Sequence, residues 1–363
     1  MLPLELNLAK QFAWKLFHRD CEYLFHELTQ SIKRSNLSVY FYPYSHKNDF
    51  VDINQLAIKE LGYSVLPVQK LLSLKAWQSR KRNALVLNWV EDQMYRNGIS
   101  KLHAIGLFIW FVGITLIAKV MTNNIIWVRH NYKPHNMSST MMMHKVMCRL
   151  LSAVSSKQIC LERYYSDQAI PHPLYLTDEQ IKSNISDFDS TSNKPCTFAF
   201  LGAIKPYKGI HKVLAHWPVA QPILIAGRCE DSAYAKKLQM IIDRRQLNVE
   251  CRYGYLSDDE LANLLQSYDY IILAHDDNRM ISSGTFYHAI TYGCNLLCLP
   301  SKFTRAKATE HAFVHVLTAK EFTPDNIENL LQVNRNKVMQ VALEYYSRVK
   351  IRNAWRTLLS DEQ

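Results

Sequence analysis

Two short stretches of this chain place glycine, lysine and small hydroxyl residues where an anion is held. In Phe198-Ala-Phe-Leu-Gly-Ala-Ile-Lys-Pro-Tyr-Lys-Gly209 an apolar strand runs into a glycine turn and then into lysines ahead of a helix. Glycine admits close backbone approach, unpaired N–H groups at a helix start attract anions, and a lysine adds a point charge. Gly202, Lys205 and Lys208 are the phosphate-binding candidates, with Lys208 favoured by its place before Gly209. Ser282-Ser-Gly-Thr-Phe-Tyr-His-Ala-Ile-Thr-Tyr-Gly293 repeats the pattern and offers Ser283, Gly284, Thr285 and His288. Arg228, after the strand-end Gly227, leans toward the same ligand. Two anion-ready loops on one sheet imply a nucleotide diphosphate.

Strands alternate with helices almost throughout, the pattern of doubly wound parallel sheets. In the first half strands are expected near Leu37–Tyr42, Tyr63–Pro67, Ala84–Trp89, Asn124–His130 and Lys157–Leu161. The second half restarts with strands near Thr197–Leu201, Pro222–Ala226, Val249–Tyr253, Tyr270–Ala274 and Asn295–Leu299, with helices such as Ser232–Arg245 and Ser257–Ser267 between them. Thr177 to Pro195, poor in large apolar residues, reads as a linker. The 363 residues therefore divide into a first domain over 1–176, a linker over 177–195, a second domain over 196–345, and a C-terminal helix over 346–363 that packs back on the first domain. The fold class is α/β: two Rossmann-like domains facing across a cleft, with ligands at the carboxyl ends of the strands.

Eight scattered cysteines, with no C-x-x-C pair and no Cys/His cluster at zinc spacing, indicate a reducing, cytosolic protein without a structural metal. No secretory signal is read in Met1 to Lys10, so the Asn-x-Ser matches at Asn36, Asn136 and Asn184 are read as chance. The net charge of +11 leans toward the N-terminal half, where residues 1–190 hold 22 basic and 15 acidic side chains. With no basic helix, zinc finger or aromatic RNA-binding signature, nucleic acid is not the expected partner, and an anionic membrane surface fits better. The uncharged run Ala104–Ala118, closed by Lys101 and Lys119, is 15 residues long, short of the roughly 18–20 that span a bilayer. It reads as a helix buried on a sheet, as one lying in the membrane interface with Trp110 and its Phe neighbours immersed, or, last of the three, as a true span.

With these elements in order, the chain resembles glycosyltransferases of the GT-B fold, particularly bacterial enzymes that extend lipid-linked exopolysaccharide units. The resemblance rests on Asn88-Trp-Val-Glu91, Trp127-Val-Arg-His-Asn-Tyr-Lys-Pro-His135, Ile170-Pro-His-Pro-Leu174, the Leu201–Gly209 loop, Ala226-Gly-Arg228, Ser283-Gly-Thr285 and Tyr292-Gly293, in that order. Ala203 stands where such families have arginine, and Met280 and His288 stand where many carry paired glutamates. The resemblance implies transfer of a hexose from a nucleotide-diphosphate sugar, bound by the domain over 196–345, to a lipid-linked or membrane-presented glycan, bound by the domain over 1–176, on the inner face of the cell membrane, with no cofactor. A catalytically inactive scaffold subunit is the alternative that the three departures motivate.

Glycosyl transfer needs a stabilised diphosphate leaving group, assigned to Lys208, Lys205 and the N–H groups around Gly202, Gly284 and Thr285. That makes a metal unnecessary, and no convincing Asp-x-Asp metal site is read: Asp258-Asp259 reads as a helix cap and Asp276-Asp277 as an isolated loop. Where a base is required it must lie in the cleft. Glu91 is the first candidate, followed by Asp92 and Asp49, while His130 is expected to contact donor or acceptor. Retention of configuration would need no such base.

Overall fold

A computed structural model describes residues 37–46, 48–96, 98–131, 142–187, 196–275 and 281–360. In the first half, β1 (Ser38–Tyr42), β2 (Ser64–Pro67), β3 (Ala84–Asn88), β4 (Asn124–Arg129) and β5 (Lys157–Cys160) form one wholly parallel sheet in the order β2-β1-β3-β4-β5. In the second half, β6 (Phe198–Leu201), β7 (Ile223–Gly227), β8 (Val249–Tyr253), β9 (Tyr270–Leu273), β10 (Asn295–Cys298) and β11 (Val314–Val316) form another, in the order β11-β10-β9-β6-β7-β8. Both are doubly wound, so each has a point where the strand order reverses, between β1 and β3 and between β6 and β9. Ligand crevices open at those points. The two Rossmann-like α/β domains expected from the alternating pattern are therefore present.

The strands are short apolar runs because both faces of each sheet are covered. On one face of the first sheet, Val39, Phe41, Val86 and Val128 pack on α1 (Asp49–Glu60). On the other, Leu85, Leu87 and Trp127 pack on α2 (Lys101–Met121) and α3 (Met142–Val154). Residues alternate between faces along each strand, as the pleat requires. In α2 the side chains of Ala104, Phe111, Ile114, Thr115, Ala118 and Met121 are buried at helical spacing. The opposite face leaves Leu102, Ile109 and Val120 exposed at 82%, 64% and 59%.

This helix, with 21 residues, is longer than the charge-free run suggested and is long and apolar enough by length and composition to cross a membrane. One of its faces is nevertheless packed on protein, so it is not surrounded by lipid.

The linker expectation changes. Residues Asp178–Asp187 form α4, and Ile181 is fully buried with Leu174 in the core of the second domain. Asp178 and Glu179 complement the helix start, and Ile181 with Ile185 makes a one-turn apolar stripe. Such a minimal stripe is easily missed among polar residues. Residues 188–195 lie outside the described segments.

The remaining α-helices in chain order are Leu74–Gln78, Ile210–Leu214, α5 (Ser232–Arg245), α6 (Asp258–Ser267), α7 (Gly284–Thr291), α8 (Lys302–Glu310), Pro324–Glu328, α9 (Arg335–Tyr346) and α10 (Arg348–Leu359). Ser257, not Asp258-Asp259, caps α6, in a reciprocal box with Glu260. In α10, Ile351, Trp355 and Leu359 enter the core of the first domain, and the Trp355 indole donates to Asn54 Oδ1 at 2.6 Å.

Candidate functional site

Gly202 ends β6 with φ +105°, and Gly227 ends β7 with φ +144°. A Cβ on Gly227 would lie 2.0 Å from the Gly202 carbonyl oxygen, so only glycine lets the two strand ends meet. A Cβ on Gly202 would lie 3.6 Å from Lys208 Nζ and 3.9 Å from Thr285 Oγ1. Both anion-ready loops thus converge at the switch point of the second sheet. Gly209 (φ +68°) makes the tight turn after Lys208, where a Cβ would lie 2.1 Å from the Ala274 carbonyl oxygen.

Lys208 is only 8% exposed and has no carboxylate or carbonyl partner among the described residues; the Phe200 ring face lies 5.9 Å from its Nζ. Burial, then the nearby Lys205 charge, pulls its pKa down to about 8. Such a buried, uncompensated ammonium is costly and invites an anion. At the start of α7, Ser283 makes no side-chain cap, and its buried Oγ has no partner among the described residues. The N–H groups of Gly284 and Thr285 open that helix beside it. The Gly202 N–H, by contrast, donates to Ala226 O at 3.0 Å and is not free for a ligand. That removes it from the expected anion cradle, because the glycine still belongs to the strand ladder.

His288 lies under the same loop, with its ring stacked 3.2 Å from that of Tyr175. Burial, followed by the His172 and Lys208 charges, pulls its pKa down to about 3, so it is neutral. Lys205 is half-buried, near enough to Lys208 to depress it. Arg228 is exposed and paired with Glu230 at 2.9 Å; its backbone oxygen accepts from the Ile204 N–H at 2.8 Å. Asp231, rather than facing a ligand, caps α5 by accepting from the Tyr234 N–H.

On the first domain, His130 follows β4 and is 6% exposed. Its Nε2 lies 3.0 Å from Asn88 Oδ1, while Asn88 Nδ2 donates to Tyr42 O at 3.0 Å. The carbonyl partner fixes the Asn88 amide, so the His130 Nε2 carries the proton and, in the neutral ring, Nδ1 holds the lone pair. Burial, then the neighbouring His172 and His46, lowers the His130 pKa well below its usual value. Rings connect this residue to the second domain: His130 to Phe50 at 5.0 Å, Phe50 to His172 at 5.8 Å, and His172 to Tyr287 at 4.1 Å. His130 also stacks on Trp89 at 4.0 Å.

Glu91 goes elsewhere. Trp89 adopts a left-handed conformation (φ 52°) at the end of β3, and the turn after it, Val90–Tyr95, packs with α2 and α3 on the sheet face opposite Phe50 and His130. Glu91 is 1% exposed, and its Oε2 accepts from the Trp127 indole at 3.1 Å. Burial, then the Asp92 carboxylate, pushes its pKa up to about 8. It does not reach the cleft, and neither does Asp92, which accepts from Asn131 Nδ2 at 2.8 Å.

Asp49 opens α1 and is exposed, with Tyr175 and the second-domain Asp258 close enough to feel its charge. Burial, then Asp258, raises its pKa. Lys133, Pro134 and His135, and likewise Asp276, Asp277 and Met280, lie outside the described residues. The sequence reading missed Glu162 and Tyr175, which line the domain junction. The one available signal for Glu162 was a carboxylate directly after an apolar strand.

Two doubly wound sheets meeting at their carboxyl ends define the GT-B fold. No family model and no curated protein matches the sequence. Among solved structures, the chain is similar to HepE of Anabaena in complex with UDP, at 12% identity and TM-score 0.59, over 89% of this chain and 99% of that one. HepE in complex with UDP-glucose gives 13% identity and TM-score 0.57 over the same shares. AviGT4, a glycosyltransferase involved in avilamycin A biosynthesis, gives 13% identity and TM-score 0.52 over 89% of this chain and 97% of that one.

Proposed function

We propose that the protein is a glycosyltransferase that moves a hexose from a nucleotide-diphosphate sugar to a lipid-linked or membrane-presented glycan. Lys208 and the α7 N–H groups, rather than a metal ion, neutralise the leaving diphosphate. The observation that carries this reading is the buried Lys208 ammonium, which has no counter-ion among the described residues, held beside the start of α7. Charge developing on a β-phosphate would be met there by groups already in place. The UDP and UDP-glucose complexes of HepE support a uridine donor as the first to test. His130, neutral and protonated at Nε2, faces the domain junction with an acceptor nitrogen suited to a sugar hydroxyl.

The membrane part of the proposal rests on the outer face of α2. Leu72, Leu74 and Trp77, exposed at 59%, 72% and 46%, extend its apolar strip on the same side of the sheet. Between residues 61 and 161 the sequence has 13 Lys and Arg and two acidic residues, Glu91 and Asp92, of which Glu91 is buried and Asp92 half-buried. Exposed apolar side chains in a segment with this excess of positive charge suit an anionic bilayer surface.

The test is binding and hydrolysis of nucleotide sugars by the purified chain, UDP-sugars first. A ligand at 100 times its Kd adds about 2.7 kcal/mol of stability, easily seen in a melt. Well-folded protein that neither binds nor hydrolyses any nucleotide sugar would refute the reading.

A further inference from the structure

Glu162 lies just past β5 in the first domain, yet the polar partners of its carboxylate belong to the second. Oε1 accepts from Ser282 Oγ at 2.5 Å and from Tyr287 OH at 2.7 Å; Oε2 pairs with Lys307 Nζ at 2.9 Å. Glu162 is 1% exposed, and the Lys307 side chain is 5% exposed. Lys307 in turn contacts Glu310 Oε2 at 2.9 Å and Tyr346 OH at 3.1 Å. Two residues along, Tyr164 OH donates to the Ile281 carbonyl at 2.6 Å.

Ser282 immediately precedes Ser283-Gly-Thr285, and Tyr287 stands in the first turn of α7. One carboxylate therefore grips the loop on both sides of its anion-facing residues. Tyr164 holds the residue before them. We infer that Glu162 is the positioning residue that sets the Ser283–Thr285 loop for the donor diphosphate, and that it does so only while the two domains are docked. This rests on the donor reading above. Separating the domains would strip Glu162 of both hydroxyl donors and of Lys307, while Lys307 keeps Glu310 and Tyr346, so loop geometry and domain docking are formed together or lost together. Hydrogen bonds to a charged acceptor are strong enough to hold a loop in one register.

The experiment measures UDP, GDP and ADP affinity by calorimetry on the full chain, comparing wild type with Ser282→Ala/Tyr287→Phe. The double variant keeps the Lys307 ion pair but leaves Glu162 Oε1 without its two donors, so it is expected to melt several degrees lower and remain folded at 25 °C, where diphosphate affinity falls roughly tenfold or more. Glu162→Gln keeps an acceptor oxygen for both hydroxyls and is expected to lose less affinity than Glu162→Ala, although both melt lower because Lys307 loses its partner. Wild-type affinity in the double variant overturns the inference. So does equal loss in Glu162→Gln and Glu162→Ala that merely tracks their melting temperatures. Wild-type protein that binds none of the three nucleotides overturns the donor reading itself, an outcome distinct from both.

Discussion

Replacing Lys208 by methionine separates what the ammonium does for a ligand from what it does to the fold. Burial lowers the Lys208 pKa from 10.5 to about 8. At about 1.4 kcal/mol per unit, the charged side chain weakens the ligand-free protein by roughly 3 kcal/mol at pH 7. The sign follows from a base whose folded value is depressed: the penalty is complete below about 8 and fades as pH rises toward 10.5. Methionine fills similar space without charge. Lys208→Met is therefore expected to melt higher than wild type at pH 7 without ligand, by about 5–10 °C on the usual scaling for domains of this size.

That advantage should shrink at pH 10. The added stability from saturating UDP, present in wild type, should disappear in the variant. Wild-type UDP affinity should itself fall about tenfold per pH unit above about 8, as Lys208 loses its proton. Thermal melts at both pH values, with and without UDP, read all of this. A variant that melts lower at both pH values and keeps the UDP shift would show that Lys208 is an ordinary packed lysine.

Glu91→Gln keeps an acceptor for the Trp127 indole and removes a carboxyl held protonated up to about 8. Because a raised acid makes the folded state lose stability as pH climbs from about 4.5 to 8, the variant should gain up to a few kcal/mol over wild type at pH 8 and almost nothing at pH 4.5, in urea unfolding. Its transfer rate should be unchanged; a hundredfold loss without a change in stability would return Glu91 to the chemistry. Leu102→Glu with Ile109→Glu, at exposed positions of α2, should leave the melting temperature within a few degrees and release the protein from phosphatidylglycerol vesicles in a sedimentation assay. Equal sedimentation of variant and wild type would sink membrane docking through this face.

Local rules carried the reading of the sequence a long way. Apolar runs of strand length, spaced by helical segments, determined two parallel sheets, since strands covered on both faces need no alternation and parallel neighbours need crossovers. Gly202, Gly209 and Gly227 announced strand ends and turns with positive φ, and Lys208 was legible because its place beside Gly209 is a local fact. The Asp178–Asp187 helix was missed because two isoleucines suffice when a neighbouring domain supplies the rest of the core.

What lay beyond the sequence is set by contacts between distant residues. Nothing near Glu91 signals that the left-handed Trp89 turns it under the sheet, where α2 and α3 bury it away from the cleft. Nothing near Glu162 signals that its partners stand about 120 residues away in Ser282 and Tyr287. Burial and pairing of a charge depend on which surfaces the fold brings together, so the sequence by itself determined the sheets and the anion-ready loops, and only the tertiary structure decided which ionisable groups face the cleft, which are sealed behind it, and which hold its two halves in place.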